Sequence, residues 1–207
     1  MALTSYSTLI TAVGDWLERA DTDALVPDWI ALTEAHMNRR LRVAKMIERA
    51  TATISSGFGT LPTDFLAPHS LRLDEDDYRL LRFVTPTQMA EFKAISSNRS
   101  GTPQLYSVIN QEIEVGPVPS TSATTMLWYF QKIPALMVSN TSNWVLTSNP
   151  DAYLHGCLMF AGSYYQDAGL RDEHATLFNA ALERIEAEDR NSQFAANPTP
   201  TPSQYAV

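Results

Sequence analysis

Cysteine is nearly absent: Cys157 stands alone among 207 residues. No internal disulfide framework is possible, and this usage fits assembly in a reducing cytoplasm. Long apolar runs are missing too. The N-terminus, MALTSYSTLITAVGDWLERAD, has no basic stretch ahead of its apolar residues and carries Asp15 and Glu18 early, which argues against a signal peptide or a membrane span. Positive charge is in deficit, with 15 Lys and Arg against 23 Asp and Glu and a net charge of −8. That balance is wrong for a general coat on nucleic acid.

The spacings that carry chemistry are also missing. His36, His69, His155 and His174 lie far apart, and none sits in a His-x-x-x-His, Cys-x-x-Cys or Glu-x-x-His pair, so no metal site is expected. His155 and Cys157, two positions apart on a helix, point about 200° from each other, which removes them as a base and nucleophile. Gly57-Phe58-Gly59 runs into Thr-Leu-Pro and not into a helix, so it is neither a phosphate loop nor a nucleophile elbow. The acids between Asp74 and Asp77 and between Glu186 and Asp189 read as solvated turn and helix-face groups. The expectation is a protein that is not an enzyme and carries no cofactor.

What is present is a change of period. Tyr6, Leu9, Ile10, Val13, Trp16 and Leu17 recur at helical spacing behind Thr4 or Ser5 as a cap, predicting a helix to about Ala20. Pro27-Asp28 opens a second, with Ile30, Ala31, Met37, Leu41 and Ala44 as its stripe, running to about Arg49. From Ala50 the period is two. Strands are predicted near 50–54, 69–73, 78–84, 104–109, 112–115 and 124–131, interrupted by a capped helix from Pro86 to about Ala94. Asn149-Pro150-Asp151 starts a long apolar helix to about Ala168 with Gly169 as its stop, and a last helix spans Arg171 to Arg190. The fold class is therefore α+β: a helical bundle made by residues 1–49 and 134–190, a small antiparallel β domain inserted at 50–133, and an extended tail over 191–207. That tail has no charged side chain and three prolines, a composition that favours extended or polyproline conformations.

Two features are candidate binding surfaces. Arg39, Arg42, Lys45 and Arg49 fall broadly on one side of the predicted second helix, a face that suits DNA phosphates, an acidic partner or plain solvation. The negative net charge favours an acidic neighbouring subunit met by Arg39, Arg42 and Lys45. Trp16, Trp29 and Trp128 read as core or anchor aromatics. Trp144, in a polar turn, has little local reason to be there and joins the candidate interface.

At the level of short motifs the chain resembles the head-to-tail adaptor proteins of tailed bacteriophages and gene transfer agents, of the tail tubular protein A kind. The likeness rests on Pro27-Asp28-Trp29-Ile30, Asn38-Arg39-Arg40-Leu41, Leu61-Pro62-x-Asp64-Phe65-Leu66, Thr85-Pro86-x-Gln88-Met89, Gly101-x-Pro103, Ile133-Pro134-Ala135-Leu136, Ser139-Asn140-x-x-Asn143-Trp144 and Asn149-Pro150-Asp151-x-Tyr153-Leu154. It implies the same α+β arrangement and twelve copies in a ring under the portal. Such a ring extends the DNA channel, passes double-stranded DNA without sequence-specific binding, and carries the tail or nozzle proteins. It also implies a place at the head–tail junction of the virion, assembly in the host cytoplasm, no membrane, and docking of the C-terminal segment on the portal. Phe194, Pro198, Pro200, Pro202 and Tyr205 are the residues expected in that docking, the two aromatics as end anchors. The reading opposed to it is a monomeric or dimeric module whose β insertion holds a small ligand or peptide.

Overall fold

A computed structural model describes residues 3–19, 21–74 and 79–195, and of 194 and 195 only the backbone. The chain is α+β, with helices and a mixed sheet. It divides into two compact units, one formed by the chain up to Lys45 and from Ile133 onward, the other by Met46–Lys132.

In the first unit, α1 spans Tyr6–Leu17. The Thr8 N–H donates to the Ser5 hydroxyl and the Ser5 N–H to the Thr8 hydroxyl, a reciprocal box that satisfies two donors at the helix start. α2 spans Val26–Arg40 with Pro27 in its first turn. It ends nine residues short of the predicted Arg49, because Leu41 turns to extended backbone at φ −76°, ψ 136°. Beyond it Leu41 and Val43 are buried while Arg42 and Ala44 are exposed, an alternation that a continued helix cannot present to one core. The buried stripe of α2 is Val26, Trp29, Ile30, Thr33, Glu34 and Met37. Ala31 and Ala44 of the predicted stripe are exposed.

The helix α5, Pro150–Tyr164, is central: it packs against α1, α2, α4 and α6. Its buried residues run from Ala152 through Tyr153, Cys157 and Leu158 to Ala161, more than one face. α4, Trp144–Ser148, is a short helix where a turn was expected. Its cap is Asn143, whose Oδ1 accepts from the Leu146 N–H at 3.0 Å. Asn149 makes no side-chain cap bond on α5. α5 stops at Tyr165 and Gln166, the latter at φ +58°, and not at Gly169. The next helix, α6, Ala168–Ala195, has already begun there, with Asp167 accepting from the Leu170 N–H at 3.0 Å. α6 runs past the predicted Arg190, so 191–195, expected to be extended, is helical. Glycine is required twice on α5. A Cβ at Gly156 would stand 2.4 Å from Thr33 Cγ2 on α2, and one at Gly162 would stand 2.6 Å from the Arg171 backbone nitrogen on α6.

The second unit holds β1 (Ile47–Ile54), β2 (Phe58–Thr60), β3 (Phe65–Leu73), β4 (Leu80–Phe83), α3 (Pro86–Ala94), β5 (Leu105–Ile109), β6 (Glu112–Gly116) and β7 (Ala123–Gln131). The strands form one sheet in the order β1-β7-β3-β4-β5-β6-β2. β2 was not foreseen, being three residues long and half glycine-flanked in sequence. The sheet is not wholly antiparallel: β4 and β5 pair in parallel through Arg82↔Leu105 and Phe83↔Tyr106. The reason is α3, which lies between them in sequence and returns the chain to the same end, as parallel pairing requires. α3 is capped by a reciprocal Thr85/Gln88 box and buries Met89. The core of this unit is Ile54, Leu71, Leu73, Tyr106, Ile113, Val115 and Leu127 with their neighbours. Its first and last strands pair with each other, Ile47 facing Phe130.

Candidate interaction site

The residues expected at an interface do not share a helix face. Arg39 is exposed in the last turn of α2, its Nε donating to the Ala35 carbonyl. Arg42 lies beyond the helix, capping it by donation to the Asn38 and Leu41 carbonyls. Lys45 belongs to a 3₁₀ turn at Ala44–Met46, and Arg49 to β1. The early end of α2 separates them. Arg40, which the pattern did not single out, reaches α6 instead, with Nε 3.3 Å from Glu186 Oε1 and Nη1 2.9 Å from Asn179 Oδ1.

Lys45 and Trp144 do come together. The ammonium lies 5.5 Å from the centre of the indole ring and 3.3 Å from the Ser148 hydroxyl. With Val43 and Ile185 beneath them and Glu188 and Asp189 on the opposite rim, they line a groove of about 290 Å³. Asp189 also accepts from the Ala44 N–H at 2.8 Å, which fixes the turn that carries Lys45. The groove joins apolar Val43 and Ile185, a half-buried indole and a rim of both charges.

Trp144 is set by a buried polar network that no sequence pattern announced. Glu34, only 6% exposed, accepts on Oε1 from the Leu136 N–H at 2.8 Å and from the Tyr153 hydroxyl at 2.9 Å. Asn143 Nδ2 donates to the Tyr153 oxygen at 2.6 Å and to the Pro134 carbonyl at 2.8 Å. Asn38 Oδ1 accepts from the Ile133 N–H at 2.8 Å. Four side chains, Glu34 and Asn38 on α2, Tyr153 on α5 and Asn143 at the cap of α4, thus clamp the segment 133–143, and the cap holds the Trp144 helix in place. Burial raises the Glu34 carboxyl above its ordinary range, against the two hydrogen bonds it accepts. Burial and the neighbouring Glu34 charge keep the Tyr153 phenol protonated.

In the sheet unit the motif residues are joints as well. The Tyr129 hydroxyl donates to Asp64 Oδ1 at 3.0 Å, and the Asp64 carbonyl accepts from the Lys132 N–H at 2.8 Å. Burial, with that Asp64 bond, pushes the Tyr129 phenol up to about 12. Phe65 stacks on Tyr129 at 5.8 Å. Gly101 is at φ +144° and donates its N–H to the Val118 carbonyl.

Cys157 and His155 face apart. Cys157 is fully buried against Thr33, its thiol pushed up to about 12 by burial, while His155 stacks on His174. Among the described residues no group of three His, Cys, Asp or Glu converges as metal ligands would. Trp16, expected as a core or anchor aromatic, is 56% exposed and rests against His155 and His174. Of the tail anchors, Phe194 lies within α6, and Pro198, Pro200, Pro202 and Tyr205 fall outside the described residues, as do Glu75, Asp76 and Asp77. Also among the described residues, no helix is long and apolar enough to cross a membrane.

No protein of curated function matches the sequence. A family model does, over residues 4–201, and its description is SU10 adaptor protein. That span takes in both units and every joint described above, so the chain belongs to the SU10 adaptor protein family.

Proposed function

We propose that the protein is a mechanical, non-enzymatic adaptor of a phage virion, of the tail tubular protein A kind, which joins the portal to the tail. The observation that carries this reading is the family match across 4–201. In it, copies of the chain form a ring, twelve in number, that docks on the portal, extends the DNA channel, and offers its far side to tail or nozzle proteins. Double-stranded DNA passes through the lumen without sequence-specific contacts, and the net charge of −8 supports a wall that does not trap it. Assembly takes place in the host cytoplasm.

Two surfaces serve assembly in this reading. Arg39, Arg42, Lys45 and Trp144 meet the adjacent subunit. Of these, Lys45 and Trp144 already share the groove beside α6. The tail supplies the portal contact, with Phe194 and Tyr205 as anchors around Pro198, Pro200 and Pro202, whose restricted backbone lowers the entropy lost on binding. Mass measurement of the chain with and without purified portal tests both. A large ring or a stable ring–portal complex is expected, lost on deletion of 192–207 for the portal and on triple Glu replacement of Arg39, Arg42 and Lys45 for the ring. A monomer that stays monomeric with portal present refutes the adaptor role, and portal binding that survives the deletion refutes the tail's part in it.

A further inference from the structure

His155 on α5 and His174 on α6 are brought face to face, with ring centres 5.2 Å apart and planes 16° from parallel. Trp16, in the last turn of α1, meets both edges, at 6.1 Å and 5.9 Å. His174 is only 4% exposed, and the Nδ1 atoms of both rings are buried without a hydrogen-bond partner. A neutral imidazole tolerates a bare Nδ1, since it is the unprotonated acceptor in one tautomer. An imidazolium does not, because each ring nitrogen then carries a proton that needs an acceptor.

The surrounding charges offer little relief. From α5, Asp151 acts on His155, but its carboxylate is already ion-paired with Arg184 of α6. From α6, Glu173 acts on both rings from an exposed, solvated position, and Arg184 opposes a charge on His155. The group that α1 brings to the pair is the uncharged Trp16. Burial is the largest influence on each ring and holds each neutral.

We propose that the His155–His174 stack beneath Trp16 is an acid-sensitive latch, which holds the C-terminal end of α1 on α5 and α6 while both rings are neutral and lets it go when one is protonated. Since both rings take up protons less readily in the fold than the ordinary histidine near 6.5, the latch is fully closed above that value. It weakens as the pH falls below it toward the depressed folded values. The two rings, in contact, take up protons in separate steps.

The test uses the full chain and two readouts, histidine ring resonances and amide exchange by NMR. Between about pH 7.5 and about pH 5 the protection factors of Ala12–Trp16 are expected to fall at least roughly tenfold, while those of the β1–β7 pair hold. Over the same range the His155 and His174 signals should titrate in two steps below the ordinary value. In the double variant His155→Gln, His174→Gln, in which neither position can take the proton, the α1 amides should stay protected down to about pH 5. If that variant does not fold, the wild-type titration decides alone. A single titration of both rings near 6.5, unchanged α1 protection, or an equal loss of protection in the double variant would each overturn the latch.

Discussion

Replacing Tyr153 by Phe removes one oxygen from the middle of the helical unit and nothing else. That oxygen donates to Glu34 and accepts from Asn143, and it is sealed from water, Tyr153 being 0% exposed. Loss of a hydrogen bond to a carboxylate costs about 1.5–3 kcal/mol, and a stranded buried amide N–H about 1–3 kcal/mol. Partial compensation through Leu136 and Pro134, which keep their bonds to the same side chains, brings the expected total to about 3 kcal/mol. For a helical unit of this size that is a fall in its melting temperature of roughly 10 °C. Far-ultraviolet circular dichroism follows the helices through the melt. Amide exchange at Leu136 and Leu146, whose N–H groups bond to Glu34 and Asn143, reports the clamp itself. A loss below about 1 kcal/mol with both amides still protected would show that the network is decoration on an apolar core.

Three further outcomes follow from the same geometry. Glu34→Gln keeps an acceptor for both donors and removes the charge. Because burial raises the Glu34 carboxyl above its ordinary 4.5, its protonated form stabilises the fold at low pH, and that contribution is lost as pH rises through the folded value. The variant should therefore melt above the wild type near pH 8, with the gap closing toward pH 4.5, and a variant less stable across the whole range contradicts this. Gly156→Ala places a methyl 2.4 Å from Thr33 Cγ2 and 3.2 Å from Phe178, which should cost about 1–3 kcal/mol by overpacking, read in a urea titration. Cys157, with its thiol pushed up to about 12 and no exposed surface, should resist iodoacetamide at neutral pH until the helices are unfolded, and fast labelling of the native chain would refute that.

The helices that were legible in the sequence are those with punctuation. The Thr85-Pro86-x-Gln88 box set α3 at Pro86–Ala94 as predicted, because cap, proline and reciprocal glutamine all act locally. α2 was misread at its end because its stripe holds Thr33 and Glu34, polar residues whose burial depends on partners far along the chain. With those two slots discounted, Leu41 and Ala44 looked like its continuation. The error carried into the basic run, since Arg39, Arg42 and Lys45 share a face only on a helix that goes on. The Trp144 site was half visible: an indole in a polar stretch was a signal, but its groove is built by Val43, Ile185 and Asp189, which no local window joins. His155 and His174 show the same limit, since the turn at Gln166 that folds α6 back on α5 leaves no periodic trace.

The pairing of β1 with β7 bears on what it costs to bring the helical unit together. To bring α2 against α5, an unfolded chain must close a loop of roughly 110 residues, from the end of α2 at Arg40 to the start of α5 at Pro150. Once Ile47 and Phe130 face each other across two strands, the loop left to close is about 25 residues, split between the two sides of the strand pair. On the logarithmic law for loop closure the helical unit then closes at about 1 kcal/mol less, part of the closure being met within the sheet.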